Sequence, residues 1–121
     1  MPTNRRIVIA NLDESSRAIV RQCLPPDHFE ITEFDASKRA SSSARVDLVI
    51  FLASRDLEDT QAFCSTLRSH VGQGTPLLCC AGRYVYPLII QLLGNAMQCM
   101  IMTPFDAGEL REKLNELDLG F

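Results

Sequence analysis

The most hydrophobic stretch of the chain is Leu48-Val49-Ile50-Phe51-Leu52. An unbroken apolar run of this length is typical of a strand that is buried on both faces of a parallel sheet, because helices cover both faces there. We therefore place this strand at the centre of a sheet and expect other strands on either side of it.

Four further segments have strand patterns, at residues 6–10, 29–34, 77–81 and 99–102. The segment at 29–34 carries Glu30, Thr32 and Glu33, and charged residues of this kind are typical of an edge strand, where they discourage unwanted pairing. Strand patterns therefore recur along the whole chain.

Helix patterns separate these strands. One follows Asp13 and ends at Pro25-Pro26, a second covers residues 56–70, and a third runs from Pro87 to about Leu93. The last helix opens with a capping-box pattern formed by Asp106 and Glu109. Residues 35–43 hold no large apolar side chain, so any helix there is short. The alternation predicts one α/β domain over residues 1–121 with a doubly wound, five-stranded parallel sheet.

The charge balance excludes several kinds of partner. The net charge is −3, from 12 basic and 15 acidic residues, which leaves no basic surface for non-specific nucleic-acid binding. No apolar run approaches the roughly 20 residues that span a bilayer. Nothing near the N-terminus has the pattern of a signal peptide. We expect a soluble, cytoplasmic protein that binds neither nucleic acid nor membrane.

The cysteines do not form a metal or disulfide pattern. They are odd in number, they lie in apolar segments, and no two have Cys-x-x-Cys spacing. Neither histidine has a second ligand at metal-binding spacing. We expect reduced thiols and no cofactor. The residues concerned are Cys23, Cys64, Cys79, Cys80, Cys99, His28 and His70.

A doubly wound sheet binds its ligands beyond the carboxyl ends of the strands. No glycine-rich phosphate loop follows the first strand, no serine lies in a Gly-x-Ser-x-Gly elbow, and neither histidine ends a strand. We therefore expect no catalytic residues and no enzyme. The residues at these strand ends are Asn11, Leu12, Asp13, Leu52, Ala53, Ser54, Ala81, Gly82 and Thr103.

Four segments in order, residues 7–17, 46–52, 75–78 and 103–110, resemble bacterial response-regulator receiver domains. The Thr103-Pro104-Phe105 turn and the helix after it carry the most specific part of the resemblance, which covers essentially the whole chain. It implies the CheY-like (flavodoxin-like) strand order 2-1-3-4-5, with a short or missing second helix.

The chemistry of the family does not carry over with the resemblance. Receivers accept a phosphoryl group on an aspartate that matches Leu52, and their Mg²⁺-binding acidic pair matches Asn11 and Leu12. Their switch hydroxyl, their charge-neutralising lysine and their aromatic rotamer switch match, in that order, Ala81, Thr103 and Met100. The resemblance therefore implies a degenerate phosphorylation pocket, and the chain is interpreted as a pseudo-receiver that binds no metal.

An atypical receiver that uses another acid is the alternative. Asp13 and Asp56 lie close in sequence to the matching positions, but sliding Asp56 into place would move the run 48–52 out of the sheet centre. The simpler interpretation is that Asp13 caps the first helix, and that Asp56 or Asp59 caps the next. Weak divalent binding by Asn11 with Asp13 stays open.

Residues 84–93 are apolar nearly all round, which a helix covering one side of a sheet does not need. If Leu93 and Ile90, with Tyr86 on the same stripe, face the sheet, an outward interaction face forms. That face, shared with the fifth strand, consists of Val85, Ile89, Leu92 and Met100. In receivers the fourth helix, fifth strand and fifth helix bind partners, so the resemblance implies a protein partner or a homodimer. The alternative is a helix that is buried more deeply.

A third hypothesis is a small-molecule or redox sensor that uses the neutral pocket or Cys79 and Cys80. It is the weakest of the three, because adjacent strand residues point to opposite faces and would form a strained disulfide.

Overall fold

A computed structural model describes residues 5–34, 46–53, 56–71, 75–93 and 99–117, and strands alternate with helices through these ranges. In chain order the elements are β1 (Arg5–Ala10), α1 (Glu14–Cys23), β2 (Phe29–Glu33), β3 (Leu48–Leu52), α2 (Leu57–Val71), β4 (Leu77–Gly82), α3 (Tyr86–Leu93), β5 (Cys99–Thr103) and α4 (Ala107–Glu116). The short helix considered at 35–43 and the side chain of Cys99 lie outside the described part.

The strands form one parallel sheet in the order β2-β1-β3-β4-β5. This confirms the predicted fold class and the order 2-1-3-4-5. β3 lies in the centre, and its residues 48–51 are fully buried because strands flank it and helices cover both faces. β2 lies at one edge, as its exposed Glu30 and Thr32 predict.

The sheet has a hydrophobic core on each face, because successive strand residues point to opposite sides. The first core joins the sheet to α1 and α4 and includes Ile7, Ile9, Val20, Leu24, Leu48, Ile50, Leu78, Cys80, Leu110 and Leu114. The second core joins it to α2 and α3 and includes Val49, Phe51, Cys64, Leu67, Leu77, Cys79, Ile89 and Met100. Helices cover both faces of the sheet, so the loops that follow the strands meet at its carboxyl edge.

Aspartates precede α1, α2 and α4, but their side chains act in different ways. Asp106 accepts a hydrogen bond from the Glu109 N–H at 2.8 Å and completes the predicted capping box. The Asp56 Oδ1 accepts from the Glu58 N–H at 2.9 Å and so caps α2. Asp13 occupies the cap position of α1 with extended backbone, but its side chain makes no capping hydrogen bond.

The predicted orientation of α3 is wrong. Ile89 was expected to face outward, but it is 0% exposed and packs in the second core, whereas Ile90 is 46% exposed. Val85 precedes Ile89 by one helical turn, accepts its N–H at 3.0 Å and also packs against this core. The exposed Gln91 lies about 200° around the helix from Ile89 and is the sequence signal for the outer side. The apolar residues of α3 give no such signal, and the packing of the sheet decides which of them are buried.

Met100 and Leu92 are the other two members of the expected interaction face. Met100 is buried in the second core beside Ile89, so it is not part of an outer surface. Its side chain points to the α3 side of the sheet because alternate residues of β5 share a face. The side chain of Leu92 lies outside the described part.

Candidate functional site

The loop between β1 and α1 turns sharply at Asn11, whose φ of 58° lies in the left-handed region. Asparagine tolerates this conformation better than most residues that have a side chain. The turn directs Leu12 into the first core, where it is buried, and leaves Asn11 and Asp13 exposed. Of the two positions that match an acidic pair, one thus presents a neutral amide and the other is part of the core.

Leu52, the position predicted to match the phospho-acceptor, ends the central strand. Its side chain is partly buried and packs against the first core. The backbone continues the sheet ladder for one more residue, since the Ala53 N–H donates to the Cys80 carbonyl oxygen at 2.8 Å. This position offers an apolar side chain within regular backbone pairing, with no group that could accept a phosphoryl group.

The ends of β4 and β5 add small, neutral side chains. Ala81 is fully buried, and Gly82 pairs in register with Thr103. A Cβ added to Gly82 would lie 3.9 Å from the Thr103 Oγ1, which is an ordinary van der Waals distance, so the position has room for a small side chain. β5 then ends at a cis peptide bond between Thr103 and Pro104.

The sheet brings most of the predicted pocket positions to one edge. Asn11 and Leu12 follow β1, Leu52 ends β3, and Ala81 and Thr103 lie at the ends of β4 and β5. Met100 does not join them, because it lies three residues before the end of β5 and is buried under α3.

The acids near this edge do not form a metal centre. Across the described ranges, no three His, Cys, Asp or Glu side chains gather where they would hold a metal ion. The Asp56 carboxylate caps α2, where it accepts from the N–H groups of Glu58 at 2.9 Å and Asp59 at 3.3 Å. Asp13 is the exposed carboxylate of the β1–α1 loop, and its side chain makes no capping bond.

Sequence reasoning gave no role to Arg17. Its Nη2 donates to the Leu12 carbonyl oxygen at 3.3 Å, and its Nη1 lies 3.0 Å from the Glu33 Oε1 at the end of β2. An arginine in the first helix and a glutamate closing the edge strand were the available signal. Their proximity follows only from the parallel pairing of β1 with β2.

The buried thiols of Cys64 and Cys79 are poorly ionised and therefore weakly reactive. Burial raises the pKa of Cys64 to about 11 and that of Cys79 to about 12. Cys79 packs in the second core and Cys80 in the first, so the two adjacent thiols lie on opposite faces of the sheet. This arrangement is unsuited to the redox-sensor hypothesis, because a thiol reacts as its thiolate.

Among the described residues in and around α3 and β5, four large apolar side chains are exposed. They range from 42% to 86% exposed and are Tyr84, Leu88, Ile90 and Met102. Leu88 and Ile90 lie about 100° to either side of the buried Ile89 on the helix. Met102 shares the α3 side of β5 with Met100. We call these four residues the α3–β5 patch.

The described helices include none that is both long and apolar enough to cross a membrane.

Comparison with known proteins gives matches at the level of structure. No family model matches the chain, and no curated protein matches it in sequence. Among solved structures, the chemotaxis response regulator CheY4 of Vibrio cholerae is similar with 19% identity and a TM-score of 0.72, over 95% of this chain and 99% of that one.

Two further solved structures differ in the proteins to which they belong. The signal receiver domain of an HD domain-containing protein from Pseudomonas fluorescens Pf-5 is 20% identical, with a TM-score of 0.69 over 94% of each chain. A structure described as adenylate cyclase from Rhodopirellula baltica is 14% identical, with a TM-score of 0.71 over 97% of this chain and 92% of that one. At these identities the likeness concerns the fold.

Proposed function

We propose that this chain, whose fold is that of CheY-like response-regulator receiver domains, works as a pseudo-receiver. It is a single cytoplasmic signalling domain that binds a protein partner without being phosphorylated, and it is not an enzyme. The observation that carries the proposal is the carboxyl edge of the sheet, where Leu52 and Leu12 pack against the core.

Phosphoryl transfer to a receiver needs a carboxylate nucleophile and a divalent cation held by oxygen ligands. A leucine offers neither, and the leucine at position 12 is buried. Asn11 contributes one neutral amide oxygen, which is a poor site for Mg²⁺ without carboxylates. The described residues at the positions that match the family's pocket therefore include neither a carboxylate acceptor nor a cation that would neutralise a phosphoryl group.

The replacements at this edge are consistent with one another. Removing acids from a pocket that keeps its lysine would leave a charge without its partner, which is costly when it is buried. Here Thr103 stands at the matching position, so no cation is left behind. Ala81 is fully buried without a polar group. The side chains at the matching positions are therefore all uncharged.

The alternative is an atypical receiver in which another acid accepts the phosphoryl group. One observation favours Asp13 for this role: it is exposed beside the edge and its side chain is not used in capping α1. Asp56 is less suited, because its carboxylate already accepts two backbone hydrogen bonds.

A phosphodonor assay separates these two functions. The full chain is incubated with acetyl phosphate and Mg²⁺, and intact mass is measured, with Asp13→Asn as the matched variant. We expect no phosphoryl adduct on either protein. An adduct on the wild type that disappears in Asp13→Asn would overturn the pseudo-receiver proposal and support the alternative.

The partner surface that we propose is the α3–β5 patch, with a second copy of the chain as its occupant. A symmetric dimer places the same patch of both copies in contact. The four patch side chains are uncharged and exposed, so their contact with a second copy buries apolar surface. The proposal keeps the predicted helix and strand, but it replaces Val85, Ile89 and Met100 with the exposed residues.

Light scattering tests the dimer. We expect the wild type to have the mass of two chains and Ile90→Glu to have the mass of one. Ala18→Glu is the control, because Ala18 is exposed on α1 and the same charge is added away from the patch. A monomeric wild type, or a dimer that survives Ile90→Glu, would refute this surface.

A further inference from the structure

The Arg17 side chain reaches from α1 back over the loop that connects β1 to this helix. Its Nη2 donates to the Leu12 carbonyl oxygen at 3.3 Å, and its Nη1 forms an ion pair with the Glu33 Oε1 at 3.0 Å. One guanidinium on α1 therefore contacts two other parts of the chain, the β1–α1 loop and the end of the edge strand.

The Leu12 carbonyl is a group that the helix itself does not satisfy. The first backbone hydrogen bond of α1 runs from the Arg17 N–H to the Asp13 carbonyl oxygen at 2.9 Å. The carbonyl of Leu12 comes one residue earlier, outside the helical ladder. The Arg17 side chain supplies a donor to it and so completes the loop that begins with the left-handed turn at Asn11.

Glu33 is held in place by the sheet. It pairs in register with Ile9 of β1, and the next residue, Phe34, donates its N–H to the Ile9 carbonyl oxygen at 2.8 Å. Its side chain lies on the α1 side of β2, because Ile31, two residues earlier, packs against the first core. The carboxylate is thus presented to Arg17 by regular strand geometry.

An isolated surface ion pair would contribute little here, since both side chains are half-exposed. What distinguishes Arg17 is its planar, forked donor group, which meets two acceptors of fixed position at once. Its Nε is buried and has no hydrogen-bond partner among the described residues, so the inner edge of the guanidinium is packed against protein.

We infer that Arg17 is a positioning residue that clamps the β1–α1 loop to the end of β2 and holds this part of the carboxyl edge in one conformation without a bound cation. The clamp is independent of the proposed function, because its contacts involve neither the Asp13 side chain nor the α3–β5 patch. It predicts that loss of the guanidinium frees the loop locally and leaves the centre of the sheet intact.

Backbone NMR on the full chain tests this inference, with Arg17→Gln as the variant and Arg21→Gln as the control. Arg21 lies one turn further along α1 and is exposed, so the control removes the same charge. In the wild type and the control, we expect rigid order parameters of about 0.85 at Leu12 and Asp13, falling below about 0.6 in Arg17→Gln.

Hydrogen exchange supplies the second measurement. In Arg17→Gln, the Phe34 amide should exchange at least about tenfold faster, while the Leu78 amide of the central sheet keeps its rate. Adding Mg²⁺ to the wild type should change neither quantity. Glu33→Gln, which changes an exposed side chain, should give a smaller change in the same residues.

Three results would overturn the clamp. They are unchanged order parameters in Arg17→Gln, equal effects of Arg17→Gln and Arg21→Gln, or equal acceleration at Phe34 and Leu78. The last result would mean that the variant lowers global stability rather than releasing the loop. Ordering of the wild-type loop by Mg²⁺ would also contradict the inference.

Discussion

The rotation of α3 can be tested directly by shortening two neighbouring side chains. Ile89 is 0% exposed in the second core, whereas Ile90, about 100° further around the same helix, is 46% exposed. We expect Ile89→Ala to destabilise the protein strongly, because it removes three buried carbon atoms and leaves a cavity. Ile90→Ala removes the same atoms from a half-exposed position, where much less contact is lost.

The expected magnitude follows from the burial. Truncating a buried isoleucine to alanine costs about 2–5 kcal/mol, and the complete burial of Ile89 favours at least about 3 kcal/mol. This is a large part of the ~5–15 kcal/mol that stabilises a typical domain. Ile89→Val removes a single methyl group and should cost about 0.5–1.5 kcal/mol. Ile90→Ala should cost less than about 1 kcal/mol.

Urea denaturation followed by circular dichroism measures these differences. With a slope of about 2 kcal/mol per molar urea, a loss of about 3 kcal/mol lowers the midpoint by about 1.5 M. The slope itself should stay constant across the series, so that midpoints compare stabilities. If Ile90→Ala costs as much as Ile89→Ala or more, the orientation of α3 and the α3–β5 patch are both wrong.

Three further predictions concern the buried thiols, the cap of α4 and Leu52, the position predicted to match the phospho-acceptor. Because burial raises the pKa of Cys64 to about 11 and that of Cys79 to about 12, iodoacetamide at pH 8 should label them in urea but not in the native protein, as read by mass spectrometry. Just above the ordinary thiol pKa of 9.0, these thiols ionise in the unfolded chain but stay protonated in the folded protein. The free energy of unfolding should therefore fall as the pH rises from about 9 towards 11. The fall should be smaller in Cys79→Ala, and an equal fall in this variant would contradict the prediction. Asp106→Ala breaks the 2.8 Å bond from the Glu109 N–H and should cost about 1 kcal/mol in urea denaturation, whereas Asp106→Asn keeps an acceptor and should cost less. If Asp106→Ala leaves the free energy of unfolding unchanged, the cap contributes nothing. Leu52→Asp places a carboxylate against the first core and should lower the free energy of unfolding by about 1–3 kcal/mol. Acetyl phosphate with Mg²⁺ should not label this variant. Labelling would mean that cation ligands remain at the edge.

Much of the candidate site was readable from local sequence. The strand ends predicted which residues meet at the carboxyl edge, because parallel strands bring their carboxyl ends together whatever their side chains are. The structure places Asn11, Leu12, Leu52, Ala81 and Thr103 there. It also buries Leu12, as an apolar residue between a strand and a helix would suggest.

The sequence by itself determined the elements, their order along the chain and the cap of the last helix. Each of these depends on neighbouring residues, such as the apolar run at the centre of the sheet or the carboxylate that begins α4. They are therefore legible without knowing the fold.

Only the tertiary structure decided which side of α3 is buried and what Arg17 contacts. α3 is apolar except for Gln91, and one polar side chain is a weak signal for the outer side, so the packing of Ile89 against the sheet sets its rotation. Arg17 and Glu33 are far apart in sequence, and the pairing of β1 with β2 brings them together. Contacts between distant elements depend on how the layers pack, and local patterns do not encode that packing.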